Sequence, residues 1–573
     1  MTVKREEQGQ IEWREWTTHS FDEAREKNKL VLLDLTATWC HWCHVMDEKT
    51  YADSGVARMI NENFIPVRVD IDKRPDISDR YNRGGFPTTA FLSDLGESVW
   101  GATFIPPSDM KRIMGSILEA KASGKIEQTL ERNRLQFLDL AKSWKRPLVD
   151  SDIVEGLFED IFSTYDVEHG GFGTSPKFPH PDAVDLLMFK HALDGDNEVA
   201  EAAIRTIDEM EVGLYDAVEG GVFRYSVTRD WKEPHYEKML ETNIGYLRNL
   251  AHAQMLTGHE KHAKLAKGVA KYIIDVLQDP ASGGFFGSQD ADEEYYKMTR
   301  EMRSRRRAPS IDKTIYSGWN SEAISTLIWA GAIMGESQWI ASARKAWRYC
   351  VAKLWNPRLG LIRHAVGQEV YLFDDQVSFL EALLAVMELQ ADENLLDIGR
   401  ALIKKVDMNF ADPDGGYVDI LKTDDAIGEL GTPKRSLVSN SKWAGAMALF
   451  GAASHDSSLE DKARGVLLSF NQQEAEAHGL FAASFISTWW LMEHVPMLVE
   501  IHNSSSKNPL DAPLWMAAKR AMNPAAVVVL AGESEPTGDS LGKPFATICD
   551  DSGCSKEVTE PRTLAQRLSY KRA

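Results

Sequence analysis

Cys40 and Cys43, in the stretch Thr38–Met46 (TWCHWCHVM), place two thiols about one helical turn apart with His41 and His44 beside them. Three chemistries use this pattern. Thiol–disulfide exchange needs one nucleophilic cysteine and a second to resolve the mixed disulfide. A soft metal ion accepts two thiolates and two imidazoles. Covalent haem attachment uses the same C-x-x-C-H order. A second polar concentration, RYSVTRDWKEPHYEKML, contains Tyr225 and holds His235 and Glu237 just after Pro234, which reads as the first residue of a helix. A His and a carboxylate so placed can act as base and acid on a sugar. Further pocket candidates are Asp290 and Asp292 in SQDAD, Trp319 and Asn320 in GWNS, and Asp374 and Asp375 in LFDDQ. Paired carboxylates suit glycoside hydrolysis; Asp is equally at home as a helix cap or loop-ordering acid.

The flanking elements discriminate among the three readings of the cysteines. KLVLLDLTATWC predicts a buried strand from Leu30 to Ala37 that ends at the motif. A helix follows from His41, with Val45, Met46, Val56, Met59 and Ile60 as its apolar face. A second strand runs from Phe64 to Ile71, Pro87 heads a third, ESVWGATF forms a fourth, and PSDMKRIMGSILEA closes the domain as a helix. This β-α-β then β-β-α order is that of a thioredoxin core. In it Cys40 sits where helix N–H groups favour a thiolate, and Cys43 can resolve. Pro87 matches the cis-proline beside the disulfide, and Asp34, six residues before Cys40, matches the buried proton acceptor. The strands leave no room for the haem reading. The metal reading stays open, with Cys40, Cys43, His41 and His44 as ligands.

Composition sets wider limits. At 573 residues, two to four domains are expected. A net charge of -21 argues against nucleic acid as a partner. No apolar run approaches the roughly 18 residues that span a bilayer, and the polar N-terminus shows no secretory leader, so a cytoplasmic location is expected. Five cysteines are too few for a disulfide scaffold. The basic run RSRRR (Arg303 to Arg307) reads as a solvated loop, and Cys549 and Cys554 as two loop thiols, the alternative being a second redox pair that receives electrons from Cys40 and Cys43.

Beyond Ser123 the composition turns helical, and a Gly-aromatic motif recurs: HGGFG at His169, EGGVF at Glu219, SGGFFG at Ser282, LGLIRH at Leu359, DGGYVD at Asp414 and HGLFAA at His478. Each interval holds two ordinary helices, so six helical hairpins closing into an (α/α)6 toroid is the economical reading. The expected fold class is multidomain, α/β plus all-α. A thioredoxin-like domain spans 1–125, a linker helix 126–149, the toroid 150–495 and a small α/β segment 496–573.

The motifs TATWCHWCHVM, VDIDKRPDISDRY, GGFGTSPKFPHP, GGVFRYSV, WKEPHYEKMLETN, GGFFGSQDAD and DKTIYSGWNSEA resemble the spermatogenesis-associated, thioredoxin-domain family. That resemblance covers nearly the whole chain and implies a thioredoxin-like domain joined to a six-hairpin glycosidase-like toroid. It implies a thiol–disulfide oxidoreductase-like protein, its partners being protein thiols or a thioredoxin-reductase-type electron donor. The alternatives are a sugar isomerase or hydrolase in the toroid acting on a sugar-like small molecule, and a non-catalytic partner-binding scaffold. No organic cofactor is implied.

Overall fold

The computed structural model describes residues 10–140, 150–390, 392–421, 423, 426–504, 508–531, 543–550 and 552–569. The N-terminal stretch read for a leader and most of the boundary after the linker helix lie outside these residues. The chain divides into two compact units, Met1–Arg146 with Ile420–Lys434, and Pro147–Asp419 with Arg435–Ala573.

The first unit is built on four strands, β1 (Leu30–Thr36), β2 (Phe64–Asp70), β3 (Thr88–Leu92) and β4 (Ser98–Ala102), in the order β2-β1-β3-β4. β1 runs parallel to β2 and antiparallel to β3. Its helices are α1 (Thr18–Glu26), α2 (His41–Met46), α3 (Ser54–Asn63), α4 (Pro75–Tyr81), α5 (Pro107–Ala122) and α6 (Lys125–Leu140). Leu32, Phe64 and Phe91 of the sheet bury against Met46, Val56, Ile60, Met110 and Met114. The single helix expected after His41 is in fact α2, a π-helical turn over Asp47–Tyr51, and α3. Asp53 separates them by capping α3, its Oδ1 accepting from Gly55 and Val56 N–H. Ile420–Lys434, expected inside the toroid, packs here instead: Tyr81 Oη donates to Gly96 O (2.6 Å) and accepts from Glu429 N (3.0 Å).

The second unit is a closed double ring of helices. In chain order these are α7 (Ser151–Ser163), α8 (Pro181–Asp194), α9 (Asn197–Leu214), α10 (Leu240–Thr257), α11 (Glu260–Tyr272), and the short α12 (Glu293–Tyr296) and α13 (Arg300–Arg303). Then follow α14 (Ser317–Met334), α15 (Ser337–Lys353), α16 (Phe373–Met387), α17 (Glu393–Asn409), α18 (Leu437–Ser454), α19 (Ser458–Leu467), α20 (Gln472–Ala477) and α21 (Ala483–Glu493). α8, α10, α14, α16, α18 and α21 each touch the next, and α21 returns to α8, forming the inner ring; α9, α11, α15, α17, α19 and α7 back them. This is the (α/α)6 toroid.

Five of the six Gly-aromatic motifs form one recurring loop. Asp166, Asp216, Asp279, Asn356 and Asp412 each open it, their side chains accepting backbone N–H groups two or three residues on. A glycine with positive φ then makes the turn (Gly170 63°, Gly220 80°, Gly283 87°, Gly360 67°, Gly415 97°). The sixth motif departs: Gly479 opens a 3-10 turn that runs into α21. Four of the loops are clamped by a buried carboxamide at the fourth residue of the following inner helix. Asn243, Asn320, Gln376 and Asn440 accept from the N–H of Val222, Phe285, Ile362 and Tyr417 at 2.7–2.8 Å. Their NH2 groups donate to the same residues' carbonyls and to the carbonyl four residues earlier in the helix.

After α21 come β5 (Met497–His502), α22 (Pro513–Lys519), β6 (Ala526–Leu530), β7 (Phe545–Asp550), β8 (Gly553–Cys554) and α23 (Pro561–Leu568), with strand order β6-β5-β7-β8. Cys549 and Cys554 are not free loop thiols. The β7–β8 pairing sets them opposite each other, Cα atoms 4.0 Å apart, and they form a disulfide. No helix among the described residues is long and apolar enough to cross a membrane.

Removing one clamp leaves a buried N–H and C=O without partners. Asn320→Ala is therefore expected to lower unfolding free energy by about 3 kcal/mol. Denaturant titration checks this, and a change within about 0.5 kcal/mol, as at an ordinary surface site, would show that the clamp is dispensable.

Candidate functional sites

The thiol pair sits where β1 hands over to α2. Cys40 caps α2, and its Sγ accepts from Cys43 N at 3.3 Å. Both thiols are free and buried. The hydrogen bond with Cys40 and then burial push the Cys43 thiol far up; the Ala37 amide and Thr36 hydroxyl oppose them. The Phe86–Pro87 bond is cis. Because Leu35 pairs with Thr88, Pro87 lies at the end of the sheet from which the cysteine motif emerges.

Asp34 is buried; burial drives its carboxyl up to about 6 against the pull of Arg68. Its oxygens are occupied by Arg68 Nε (2.7 Å) and Tyr51 Oη (3.3 Å). His44 turns its Nε2 to Thr38 O at 3.0 Å, and His41 is exposed beside Trp42. Among the described residues no three His, Cys, Asp or Glu side chains converge as a metal site, so the two histidines do not complete a ligand set with the thiols.

In the second unit the inner helices carry polar groups in rows. Glu241 and Arg248 on α10, Glu322 and Trp329 on α14, and Asp374, Glu381 and Glu388 on α16 recur at seven-residue spacing, close to two turns, and so share one face. Of these, Arg248, Trp329, Glu381 and Glu388 line a cavity of about 460 Å³ that also takes in Asp182, Asp185, His252 and Lys442. α8 holds both cations. Arg248 reaches Asp182 and Asp185 at 2.5 Å each, and Lys442 reaches Asp182 at 2.9 Å. His252 Nδ1 lies 2.8 Å from Asp185. Burial raises the Asp182 carboxyl, but Lys442 and Arg248 outweigh it and hold it well below the usual range. Glu241, Glu322 and Glu381 accept no hydrogen bond among the described residues. Burial pushes Glu322 up to about 7, helped by Glu241 and Glu381 and opposed by Lys442; burial raises Glu241 and Glu381 too.

The far end of the cavity is closed by the C-terminal segment. Lys519 of α22 bridges both oxygens of Glu388 (2.7 and 2.8 Å), and Val528 N donates to the same carboxylate at 3.3 Å.

At the other end, where the inner helices begin, His235 Nδ1 stands 2.5 Å from Glu237 Oε2. Glu237 is fully buried and its second oxygen has no partner. The imidazole stacks on Tyr225 at 4.8 Å, which stacks on Phe178 at 4.6 Å. His180, immediately before α8, holds a left-handed backbone (φ 45°), a strained state for a residue with a Cβ. Pro234 does not start a helix: Pro234–His235 pairs with Tyr225–Ser226, and the buried Lys238–Asp216 bridge (2.7 Å) keeps the chain extended until α10 begins at Leu240.

The other sequence candidates separate. Asp374 is exposed at the start of α16, whereas Asp375 is buried and binds His364 Nδ1 (2.9 Å) and Gly318 N (3.1 Å). Asn320 is a loop clamp rather than a pocket residue, and Trp319 packs edge-on against Tyr316. Asp290 orders its own loop through Ala291 N and Ser310 Oγ, and Asp292 caps α12. Arg303 of the basic run is buried on Asp216 (2.7 Å) and Glu219 (2.9 Å), not solvated. The lumen residues Asp182, Asp185, Arg248, His252, Glu322, Glu381 and Lys442 were absent from the candidates. For Arg248 and Glu381 the signal is a charge repeating at seven residues along otherwise apolar α10 and α16.

Residues 2–148 match a thioredoxin-type family described as "Protein of unknown function, DUF255". The chain is 31% identical over 307 residues to spermatogenesis-associated protein 20 of Homo sapiens, covering 49% of this chain and 39% of that relative. It is 33% identical over 73 residues to thioredoxin H2 of Arabidopsis thaliana, covering 13% of this chain and 51% of that one. The chain thus spans about two fifths of the human relative's length. Among solved structures, a D-mannose isomerase superposes at TM-score 0.48 and 9% identity, covering 60% of this chain and 98% of that one. The N-terminal unit is a thioredoxin-like domain, and about half of the chain is similar to spermatogenesis-associated protein 20.

Folding raises the Glu322 pKa from 4.5 to about 7, so between those values the unfolded chain holds fewer protons and stability falls as pH rises. Glu322→Gln should therefore stabilise the protein at pH 8 by on the order of 1–2 kcal/mol and leave it unchanged at pH 4. Thermal melts at the two pH values check this; equal shifts at both would contradict it.

Proposed function

We propose that the first unit is a thiol–disulfide oxidoreductase, with Cys40 as nucleophile and Cys43 as resolving thiol. The observation that carries this reading is the Cys43 N–H donating to Cys40 Sγ at the start of α2, where unpaired helix N–H groups favour negative charge. Cys40 thiolate attacks one sulfur of a substrate disulfide, forming a mixed disulfide and releasing one substrate thiol. Cys43 then attacks Cys40, giving up its proton to the second departing thiolate. Two electrons pass to the substrate, and a Cys40–Cys43 disulfide remains for a thioredoxin-reductase-type donor to reduce. Pro87 presents a backbone edge to the substrate, and Asp34 is a positioning residue through Arg68.

A second reading, acid–base chemistry on a sugar-type ligand in the toroid, is favoured by the His235–Glu237 pair. A buried carboxylate orients the imidazole, and the Tyr225–Phe178 stack offers an apolar face.

Insulin reduction with dithiothreitol or a reductase system tests the first reading. Cys40→Ser should lower the rate on the order of a hundredfold or more, and Cys43→Ser should accumulate a mixed disulfide visible by mass spectrometry. A wild-type protein without thiol-dependent turnover would refute it. For the second, His235→Ala should abolish conversion of any sugar that the wild type turns over; undiminished conversion would remove His235 from the reaction.

A further inference from the structure

A second cavity, of about 290 Å³, lies at the end of the toroid where the inner helices finish and the C-terminal segment closes over them. α8, α10, α14 and α21 wall one side, and the stretch from α22 to β6 walls the other. Its surface is chiefly Met188, Phe189, Trp329, Leu491, Met522 and Val528. The size is informative, since an apolar cavity of roughly 150 Å³ takes one benzene ring. There is room for one substituted ring.

The charged groups at its edge are answered within the protein. Lys519 is held by Glu388, and the Asp185 carboxylate accepts from Arg248 Nε, Asn249 Nδ2 (2.7 Å) and His252 Nδ1 (2.8 Å). Asn523 closes on Leu568 O and Ala525 N, and Thr488 Oγ1 donates to Ser441 O. Two side-chain groups on the cavity wall, His252 Nε2 and Ser487 Oγ, have no hydrogen-bond partner among the described residues. A carboxylate only accepts, so the neutral imidazole carries its proton on Nδ1 and keeps a lone pair on Nε2. The Asp185 bond fixes the orientation of the ring, and Trp329 packs 4.4 Å from it. The cavity thus offers one oriented acceptor and one hydroxyl in an apolar surround, with no unanswered charge among its described lining residues.

We infer that this cavity is a binding site for a small uncharged aromatic alcohol, a phenol-type molecule. Its hydroxyl donates to His252 Nε2 and accepts from Ser487 Oγ, while its ring packs on Trp329 and Phe189. A carboxylate or ammonium ligand would lose its hydration there with no counter-charge left to meet it. The inference depends neither on thiol exchange nor on the His235–Glu237 pair, which precedes α10 at the opposite end of the inner helices.

Isothermal titration of the full chain at pH 8 with 4-methylphenol, p-xylene and 4-methylbenzoate tests it. 4-Methylphenol should bind, and p-xylene and 4-methylbenzoate should bind at least about tenfold more weakly. His252→Phe keeps an aromatic ring but removes the acceptor; it should weaken 4-methylphenol by about tenfold and leave p-xylene within about threefold. Ala192→Trp, at a half-buried lining position, should fill the space and abolish binding of both. That variant keeps the test decisive should His252→Phe fail to fold by circular dichroism. No binding of 4-methylphenol, equal binding of p-xylene, or preference for the carboxylate would overturn the inference. So would an affinity for 4-methylphenol unchanged in either folded variant, or a loss in His252→Phe that p-xylene shares.

Discussion

Four buried carboxamides set the register of the toroid. Asn243, Asn320, Gln376 and Asn440 each close three hydrogen bonds, two to a loop residue and one to the carbonyl four residues earlier in their own helix. An amide so used cannot rotate without orphaning buried backbone groups, so it fixes both the depth and the azimuth of an inner helix against the preceding loop. The second glycine of the motif follows from this. A Cβ on Gly416 would stand 2.8 Å from Asn440 Oδ1, and one on Gly221 would stand 3.0 Å from Asn243 Oδ1. The double glycine thus serves a turn of positive φ first and a close side-chain approach second.

Azimuth matters because the lumen chemistry is written one face wide. A rotation of α14 by one residue, about 100°, would carry Glu322 out of the lumen. The clamps and the ring closure therefore hold carboxylates in surroundings that disfavour their charge, which the Glu322 value of about 7 expresses directly. Glu388, which caps the end of α16, is by contrast answered by Lys519 and Val528 N.

Local signals were the legible ones. The strand before Cys40, the helix after it and the glycine loops are encoded over a few residues, and the β-α-β then β-β-α order followed from them. The sixth hairpin loop was misread because HGLFAA shares the composition of the motif but lacks an Asp or Asn to open the turn and a GG pair to close it. The long helix after His41 was misread because apolar spacing continues through Asp47–Tyr51, while the backbone widens there into a π turn that Asp53 then terminates. The lumen acids were missed for a different reason: which face of an apolar helix looks inward is decided by ring closure, and only the seven-residue recurrence of charge hints at it. Asp290, Asp292 and Asp375, by contrast, looked chemical in sequence and are tied to backbone or to a buried histidine.

The thiol site carries a related lesson about a conserved-looking carboxylate position. Asp34 stands six residues before Cys40; burial raises its carboxyl to about 6, and a guanidinium 34 residues away in sequence opposes that rise. Arg68 bonds Asp34, pairs with Asp47, and lies 4.3 Å over the Trp13 ring. The Tyr51 hydroxyl, itself bonded to Thr89, closes the other side. Asp34 anchors Arg68 across β1 and β2, where Arg68 also pairs with Asp47 of the π turn. A buried ion pair is a poor source of net stability but a strong constraint on geometry once formed, and here it spans the two parallel strands from which the active helix departs.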